Sequence, residues 1–170
     1  MLMMRAGILT NYPKVARELG LDPQALLRQV GLSIDLLENP DRLIPGDAVI
    51  GLLEESAQAS GCATFGLRLA RVRQLSEFGV AGLLLTQQRS IRDALRVAQQ
   101  YMHLLNEAAV QYVDEQQDSV VVRVELLTAG KLPTTQAVEL YLFASVQLFR
   151  AIAGSQWRPL AMHFKRPAAW

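Results

Sequence analysis

A nearly continuous apolar segment of helical length runs from about Thr134 to Ala153 and is closed by Gly154. A helix that is apolar on most of its sides has to be buried. The predicted helix is apolar on nearly every side except for a stripe that we expect to reach water, formed by Glu139, Gln147 and Arg150. The sequence therefore predicts a long central helix against which the other elements pack.

The hydrophobic period changes from helical to alternating near residue 108. Apolar and polar residues then alternate on both sides of a polar EQQD turn, which predicts an antiparallel hairpin over about 108–127 with one buried face. A similar alternation near 159–165 predicts a third strand that joins the hairpin. The expected fold class is α+β: a mainly helical domain with a small antiparallel sheet packed against the long apolar helix. We expect that helix and the hairpin to dominate the core, with Leu142 and Phe143 among the buried side chains.

Local start and stop signals divide the chain before residue 108 into shorter helices. Asp22 and Pro23 have the residue types of an N-cap and a first helical position. Ser90 followed by Asp93 resembles a capping box and opens the most regular amphipathic helix, over about 90–106. The apolar run 79–85 is compatible with a buried strand or a buried helix, and we favour the helix.

Composition excludes several classes of protein. Seventeen basic and 16 acidic residues leave a net charge of +1, which argues against strong generic nucleic-acid binding. The longest uncharged apolar run, Phe78–Leu85, is too short to span a membrane, and the N-terminus lacks a signal-peptide pattern. One cysteine, Cys62, and two histidines offer neither an internal disulfide nor a convincing zinc site. We expect a cytoplasmic protein with no membrane partner, metal or cofactor.

Residues 15–26 have the spacing of a helix-turn-helix, in which Ala16 permits close helix crossing and Gly20 makes the turn. The second helix would then present polar side chains to a DNA major groove: Gln24, Arg28 and Gln29. Residues 1–40, however, contain four basic and four acidic side chains, whereas DNA binding draws much of its affinity from phosphate neutralisation. We therefore favour a structural helical cap over about residues 1–36.

Catalytic motifs are missing from the sequence. No nucleophile elbow, phosphate loop, dinucleotide-binding glycine pattern or zinc-protease motif occurs. Glu54 and Glu55 are adjacent on a predicted helix and diverge by roughly 100°, so they do not form an acid/base pair. We expect no enzymatic activity.

Polar side chains on otherwise apolar surfaces are the candidates for a small-molecule pocket, because such pockets combine apolar walls with a few hydrogen-bonding groups. The predicted ligand-binding residues are Tyr101, Tyr141, His103, Asn106 and Glu139. Tyr101 and His103 point roughly 200° apart on one helix, so we expect Tyr101 and Tyr141 in the pocket and His103 or Asn106 at its rim. Each of them is also compatible with a core-edge role.

Five stretches, taken in order, resemble a known family: ARELGLDPQALLRQVGL (16–32), RLIPGDAVIGLLEESAQASGCATFGLRLA (42–70), FGVAGLLLTQQRSIRDALRVAQQYMHLLNEAA (78–109), VVRVELL (121–127) and VELYLFASVQLFRAIAGSQWRPLAMHFKRPA (138–168). Together they are similar to the effector-binding N-terminal domain, often labelled arabinose-binding, of AraC/XylS-type transcription regulators.

The resemblance implies that residues 1–170 form one sensor domain of a bacterial transcription regulator. Such a domain binds a small effector and controls an attached C-terminal domain with two helix-turn-helix units, which is absent from this chain and through which alone DNA would be bound. The label does not fix the ligand, since an amphipathic metabolite, a fatty acid and an amino-acid-like molecule suit the predicted pocket equally. The alternative is a ligand-free dimerisation or interaction module, in which the 83–85 run and the long helix pack against a second copy.

Overall fold

Seven helices and four short strands make up the part of the chain that the computed structural model describes, residues 1–104 and 106–164. In order these are β1 (Met3–Arg5), α1 (Tyr12–Glu18), α2 (Pro23–Gln29), β2 (Leu43–Pro45), α3 (Gly46–Ser60), α4 (Phe65–Arg71), α5 (Gly79–Thr86), α6 (Ile91–Tyr101), β3 (Ala109–Glu115), β4 (Val120–Leu126) and α7 (Thr135–Ala153). Short 3-10 turns lie at Ala6–Leu9, Ile34–Glu38, Leu75–Phe78 and Met102–Leu104. The predicted mainly helical α+β class is confirmed. None of the described helices combines the length and the apolar character that crossing a membrane requires.

The predicted helix signals act as expected. One carboxylate oxygen of Asp22 accepts hydrogen bonds from the backbone N–H groups of Gln24 at 2.9 Å and Ala25 at 3.3 Å. The Ser90 hydroxyl accepts from the Asp93 backbone N–H at 3.1 Å. Each cap satisfies N–H groups that have no partner inside the helix. The ambiguous run is helical, as favoured, and forms α5.

The sheet differs from the prediction in two ways. The hairpin is confirmed, with β3 and β4 antiparallel from Ala109 opposite Leu126 to Glu115 opposite Val120. The predicted third strand is wrong for residues 159–164, which form no strand, while residue 165 lies outside the described residues. Leu160 is 93% exposed, so its alternation with polar neighbours marks no buried face. A second sheet pairs β1 with β2 and was not predicted, because three residues a strand are too few for a periodic signal.

The main core lies between α1, α2, α3, α4 and the first half of α7. Its largest fully buried apolar side chains are Tyr12, Phe65, Met4, Leu9, Leu27, Ile44, Ile50, Leu52, Leu53, Leu69 and Leu140. The expectation that the long helix and the hairpin dominate the core is wrong, since Leu142 and Phe143 are only half-buried. No residue of β3 or β4 is fully buried, so the predicted buried face of the hairpin is only half-buried. Leu140 is the apolar side chain that α7 contributes to this list.

A second, smaller group of buried residues lies where α5, α6 and the second half of α7 meet. We call it the satellite cluster; it consists of Leu85, Ala94, Ala98 and Leu148, with Val97, Met102 and Ile152 packed against it. α7 is common to both regions, because Leu140 belongs to the main core and Leu148 to the satellite cluster.

Candidate functional site

A cleft of about 530 Å³ opens between α3 and the loop that precedes α7. It is lined by Gly51, Glu54, Glu55, Ala57, Gln58, Gly61, Ala63, Leu132 and Pro133. Its volume falls within the roughly 300–1,000 Å³ of small-molecule sites. The wall combines small and apolar residues with two carboxylates and one amide, so it offers an apolar surface and several hydrogen-bonding groups.

Glu54 connects this cleft to α7. Its Oε1 accepts a hydrogen bond from the backbone N–H of Gln136, in the first turn of α7, at 2.7 Å. Burial raises the pKa of the Glu54 carboxyl; the hydrogen bond from Gln136 opposes that rise, and the charge of nearby Glu139 adds to it. Glu54 therefore supplies from α3 the acceptor that the start of α7 needs, because Thr134 provides no side-chain cap.

Gln136 extends this connection to α4. The Gln136 side chain accepts from the backbone N–H of Gly66 at 2.9 Å and donates to the carbonyl oxygen of Ala63 at 3.0 Å. A Cβ atom on Gly66 would overlap the carbonyl oxygen of Gln136, so only glycine permits this approach of α4 to α7. One wall of the cleft, the start of α4 and the start of α7 are thus joined by direct hydrogen bonds.

The structure places Glu139 in the interior and not at the surface. Its side chain is 1% exposed, so the expectation that the whole polar stripe of the long helix reaches water is wrong at this position. The reason is that the first turns of α7 lie against α3 and α4, whereas Gln147 and Arg150 farther along are half-buried. Glu139 is close enough to Glu54 to raise the pKa of the Glu54 carboxyl, but it does not line the cleft.

Tyr101 lies at a different place, beside a narrow crevice between α5 and α6. The other residues lining this crevice are Ala81, Leu84, Leu85, Val97, Ala98 and Met102. This crevice is too narrow to hold a water-sized molecule. Tyr101 itself is 36% exposed, so its ring covers the satellite cluster at the surface.

The remaining predicted ligand-binding residues are separated from both depressions. The Tyr141 hydroxyl donates to Oε1 of Gln111 in β3 at 3.2 Å, and burial raises the pKa of Tyr141. His103 is exposed. Asn106 is buried, and its side-chain oxygen accepts from the Ala108 backbone N–H at 3.0 Å, which shapes the turn before β3. The crevice that Tyr101 lines does not include Tyr141.

Comparison with known proteins places this arrangement in a family. A family model described as the arabinose-binding N-terminal domain of AraC transcription regulators matches residues 20–169. The chain belongs to this family. Two relatives, both the HTH-type transcriptional regulator VirS of Mycobacterium tuberculosis from different strains, are 26% identical over 165 residues. The match covers 96% of this chain and 48% of each relative, so this AraC-type domain spans about half the length of the curated relatives it matches.

The helix pair of this AraC-type domain that has helix-turn-helix spacing is packed into the main core. Gly20 turns the chain between α1 and α2 with a φ of 76°, and Ala16 and Leu27 are buried. The three side chains that a DNA reader would use are exposed: Gln24, Arg28 and Gln29. The helix pair thus has a polar outer face, and its apolar inner face is part of the main core.

The residues that line the cleft in this AraC-type domain were not predicted as ligand-binding residues. The sequence predicts that Glu54 and Glu55 diverge on their helix and do not form an acid/base pair. In the structure Glu55 is exposed while Glu54 is half-buried. Leu132 and Pro133 lie more than 70 residues after α3 in the chain, and no local pattern indicates that they face it. The polar Glu–x–x–x–Gln pattern of residues 54–58 was the one available signal, because it places two polar side chains one turn apart on α3.

Proposed function

We propose that this AraC-type domain is a ligand-sensing regulatory domain, which binds a small effector in the bacterial cytoplasm and controls an attached DNA-binding domain. The observation that carries the proposal is the cleft of about 530 Å³, which lies inside the matched range 20–169. Its mixed lining suits a small molecule with an apolar body and a few polar groups. DNA binding is assigned to the attached domain, in keeping with the relatives' description as HTH-type regulators and their greater length.

The proposal also requires a way for the effector to change the rest of the protein. An effector shifts an equilibrium only by its differential affinity for two arrangements. α7 begins at the cleft, where Glu54 holds Gln136, and carries Leu148 of the satellite cluster toward its other end. We therefore propose α7 as the element through which the two arrangements differ.

The five residues predicted from the sequence keep a place in this proposal, at two different locations. Glu139 does not line the cleft, but its charge raises the pKa of Glu54, which does. Tyr101 would contact an effector only in an arrangement in which the crevice between α5 and α6 is wider, and His103 lies in the turn that follows α6. Tyr141 and Asn106 are proposed as residues that hold β3 and its preceding turn against the rest of the domain.

We propose binding and not catalysis at the cleft. The polar side chains in its lining are two carboxylates and one amide, and among these lining residues there is no nucleophile paired with a base. Glu54 is held in a hydrogen bond to backbone, and Glu55 extends into solvent.

The test is thermal denaturation of the purified chain with a panel of compounds: L-arabinose and other sugars, amino acids, diamines and medium-chain fatty acids. A ligand at about 100 times its dissociation constant adds roughly 2.7 kcal/mol to the free energy of unfolding, which shifts the midpoint by several degrees. We expect at least one class to produce a saturable shift. A panel in which every compound leaves the midpoint unchanged contradicts the proposed function.

A second candidate function, a dimerisation module, is favoured by the outer face of α5. Val80 is 76% exposed, Leu83 61% and Leu84 44%, and contiguous exposed apolar side chains mark interaction surfaces. Sedimentation equilibrium over a range of protein concentrations tests it. Self-association that Leu83→Glu abolishes, together with no ligand response, would replace the sensor proposal with this one.

A further inference from the structure

We propose that Glu54 couples occupancy of the cleft to α7, and that the occupant is a compact molecule that donates hydrogen bonds and carries no negative charge. The inference rests on the proposed function and names the site, the ligand chemistry and the residue that transmits binding.

Glu54 can couple the cleft to α7 because its side chain contacts both of them. It lines the cleft, and its Oε1 holds the Gln136 backbone N–H at 2.7 Å. A ligand group that donates to the Glu54 carboxylate competes with, or reorients, the acceptor for the first turn of α7. Glu55 and Gln58 line the same cleft from α3 but are exposed, so they meet the ligand without holding α7.

The residues around Gln136 are too closely packed for a movement of Gln136 to remain local. Gln136 is buried and its side chain is held by Gly66 and Ala63, and no Cβ fits between Gly66 and the Gln136 carbonyl group. A displacement at Gln136 is therefore passed to the α4 start and along α7. Close-packed interfaces respond by shifting between arrangements and not by continuous deformation.

The charges of the cleft define the ligand. The charged residues in its lining are Glu54 and Glu55, which are both acidic. Lys131 adjoins the loop wall and is exposed outside the lining. An anionic ligand would face two like charges at short range, whereas hydroxyl or ammonium groups find carboxylate acceptors. Leu132 and Pro133 supply an apolar wall for the body of the molecule.

The first arm of the test needs no ligand and measures hydrogen exchange at the Gln136 amide. We expect Glu54→Ala to accelerate that exchange by about tenfold or more, because it removes the acceptor. Glu55→Ala is the matched control on the same helix and should change it by less than about threefold. Glu54→Gln keeps an acceptor oxygen and should restore protection, which separates loss of this contact from general unfolding. Equal effects of Glu54→Ala and Glu55→Ala would overturn the coupling.

The second arm uses four-carbon probes that differ in charge, 1,4-diaminobutane, 1,4-butanediol and succinate, with L-arabinose as a compact polyol. We expect the diamine, the diol or the sugar to raise the midpoint of unfolding and to change exchange at Gln136, and Glu54→Ala to abolish the exchange response. Succinate should neither raise the midpoint of unfolding nor change exchange at Gln136. Tightest binding by succinate, or a probe that stabilises the chain without any change at Gln136, overturns this inference and leaves the proposed function standing. Failure of all four probes overturns the ligand class, while the proposed function falls only if the whole panel fails.

Discussion

The main core and the satellite cluster differ in how completely their residues are enclosed, although one helix runs through both. In the main core, Phe65 and the α3 leucines are fully buried, and polar groups such as Ser56 are paired inside it. In the satellite cluster, α5 buries Ala81, Gly82 and Leu85 but leaves its other apolar side chains in contact with solvent. This domain therefore combines a firmly packed part, which forms the cleft, with a loosely packed part at the other end of α7.

The composition of α5 explains part of this difference. Its sequence GVAGLLLT is apolar on all sides, and such helices are normally enclosed. Its inward face is small, with Gly82 so close to the Phe78 side chain that a Cβ atom would overlap it. Small residues reduce the apolar area that burial removes from water, so the satellite cluster gains less stabilisation than the main core. Regions with few buried apolar contacts open at lower free energy.

The largest effect expected is the loss of Phe65, whose ring is fully buried and packs at 6.0 Å from the ring centre of Tyr12. Phe65→Ala should lower the free energy of unfolding by about 3–5 kcal/mol, because it leaves a cavity in the main core. Urea denaturation followed by circular dichroism measures this change. A loss below about 1 kcal/mol would show that the main core repacks easily and would remove the contrast between the two regions.

A matched pair on α7 sharpens the comparison. Leu140 in the main core is 1% exposed and Leu148 in the satellite cluster is 6% exposed. We expect Leu140→Ala to lower the free energy of unfolding by about 4 kcal/mol and Leu148→Ala by about 2 kcal/mol, since a loosely packed region collapses more readily around a lost side chain. The same urea titration measures both variants. The reverse order would place the firmer region at the satellite end.

Two helix caps provide a comparison with a smaller effect. Asp22 caps α2 in the main core, and Ser90 caps α6 beside the satellite cluster. Replacement of either by alanine should remove about 1 kcal/mol from its helix. We expect Asp22→Ala to lower the global free energy of unfolding, and Ser90→Ala to appear mainly as faster hydrogen exchange within α6. Global destabilisation of the same size by both variants would indicate a single cooperative unit.

The smallest effect concerns the pH dependence of stability at the cleft. Burial raises the pKa of Glu54 above its ordinary 4.5, so the folded protein retains this proton at a pH where the unfolded chain has lost it. The contribution of Glu54 is therefore complete below pH 4.5 and declines as pH rises through its folded pKa. Glu54→Gln cannot titrate, so its stability relative to the wild type should rise across that window. Thermal midpoints of both proteins against pH test this, and a relative stability that falls with pH has the wrong sign.

Local sequence patterns predicted those parts of the fold that depend on neighbouring residues. The caps at Asp22 and Ser90, the hairpin and the end of α7 at Gly154 each rest on residues close together in the chain. The AraC-type resemblance, carried by five stretches, is confirmed by the family match over 20–169.

Features that depend on distant partners could not be predicted in this way. Glu139 has the spacing of a solvent-facing stripe but is buried, because α3 and α4 lie against the start of α7. The cleft is formed by residues of α3 and of a loop that precedes α7, and the hydrogen bond from Gln136 to Glu54 spans 82 positions. No local sequence pattern in α3 or in the loop predicts that these two segments lie against each other.

Native-state hydrogen exchange of the wild-type chain tests the contrast between the two regions most directly. At increasing sub-denaturing urea concentrations, it gives the opening free energy of each amide. We predict that amides of α3 and α4 exchange only through global unfolding, while those of α5 and α6 open at a distinctly lower free energy. Within α7, protection should decrease from Leu140 toward Ile152. A single opening free energy shared by all these helices would contradict this contrast, because the satellite cluster would then not unfold separately from the main core.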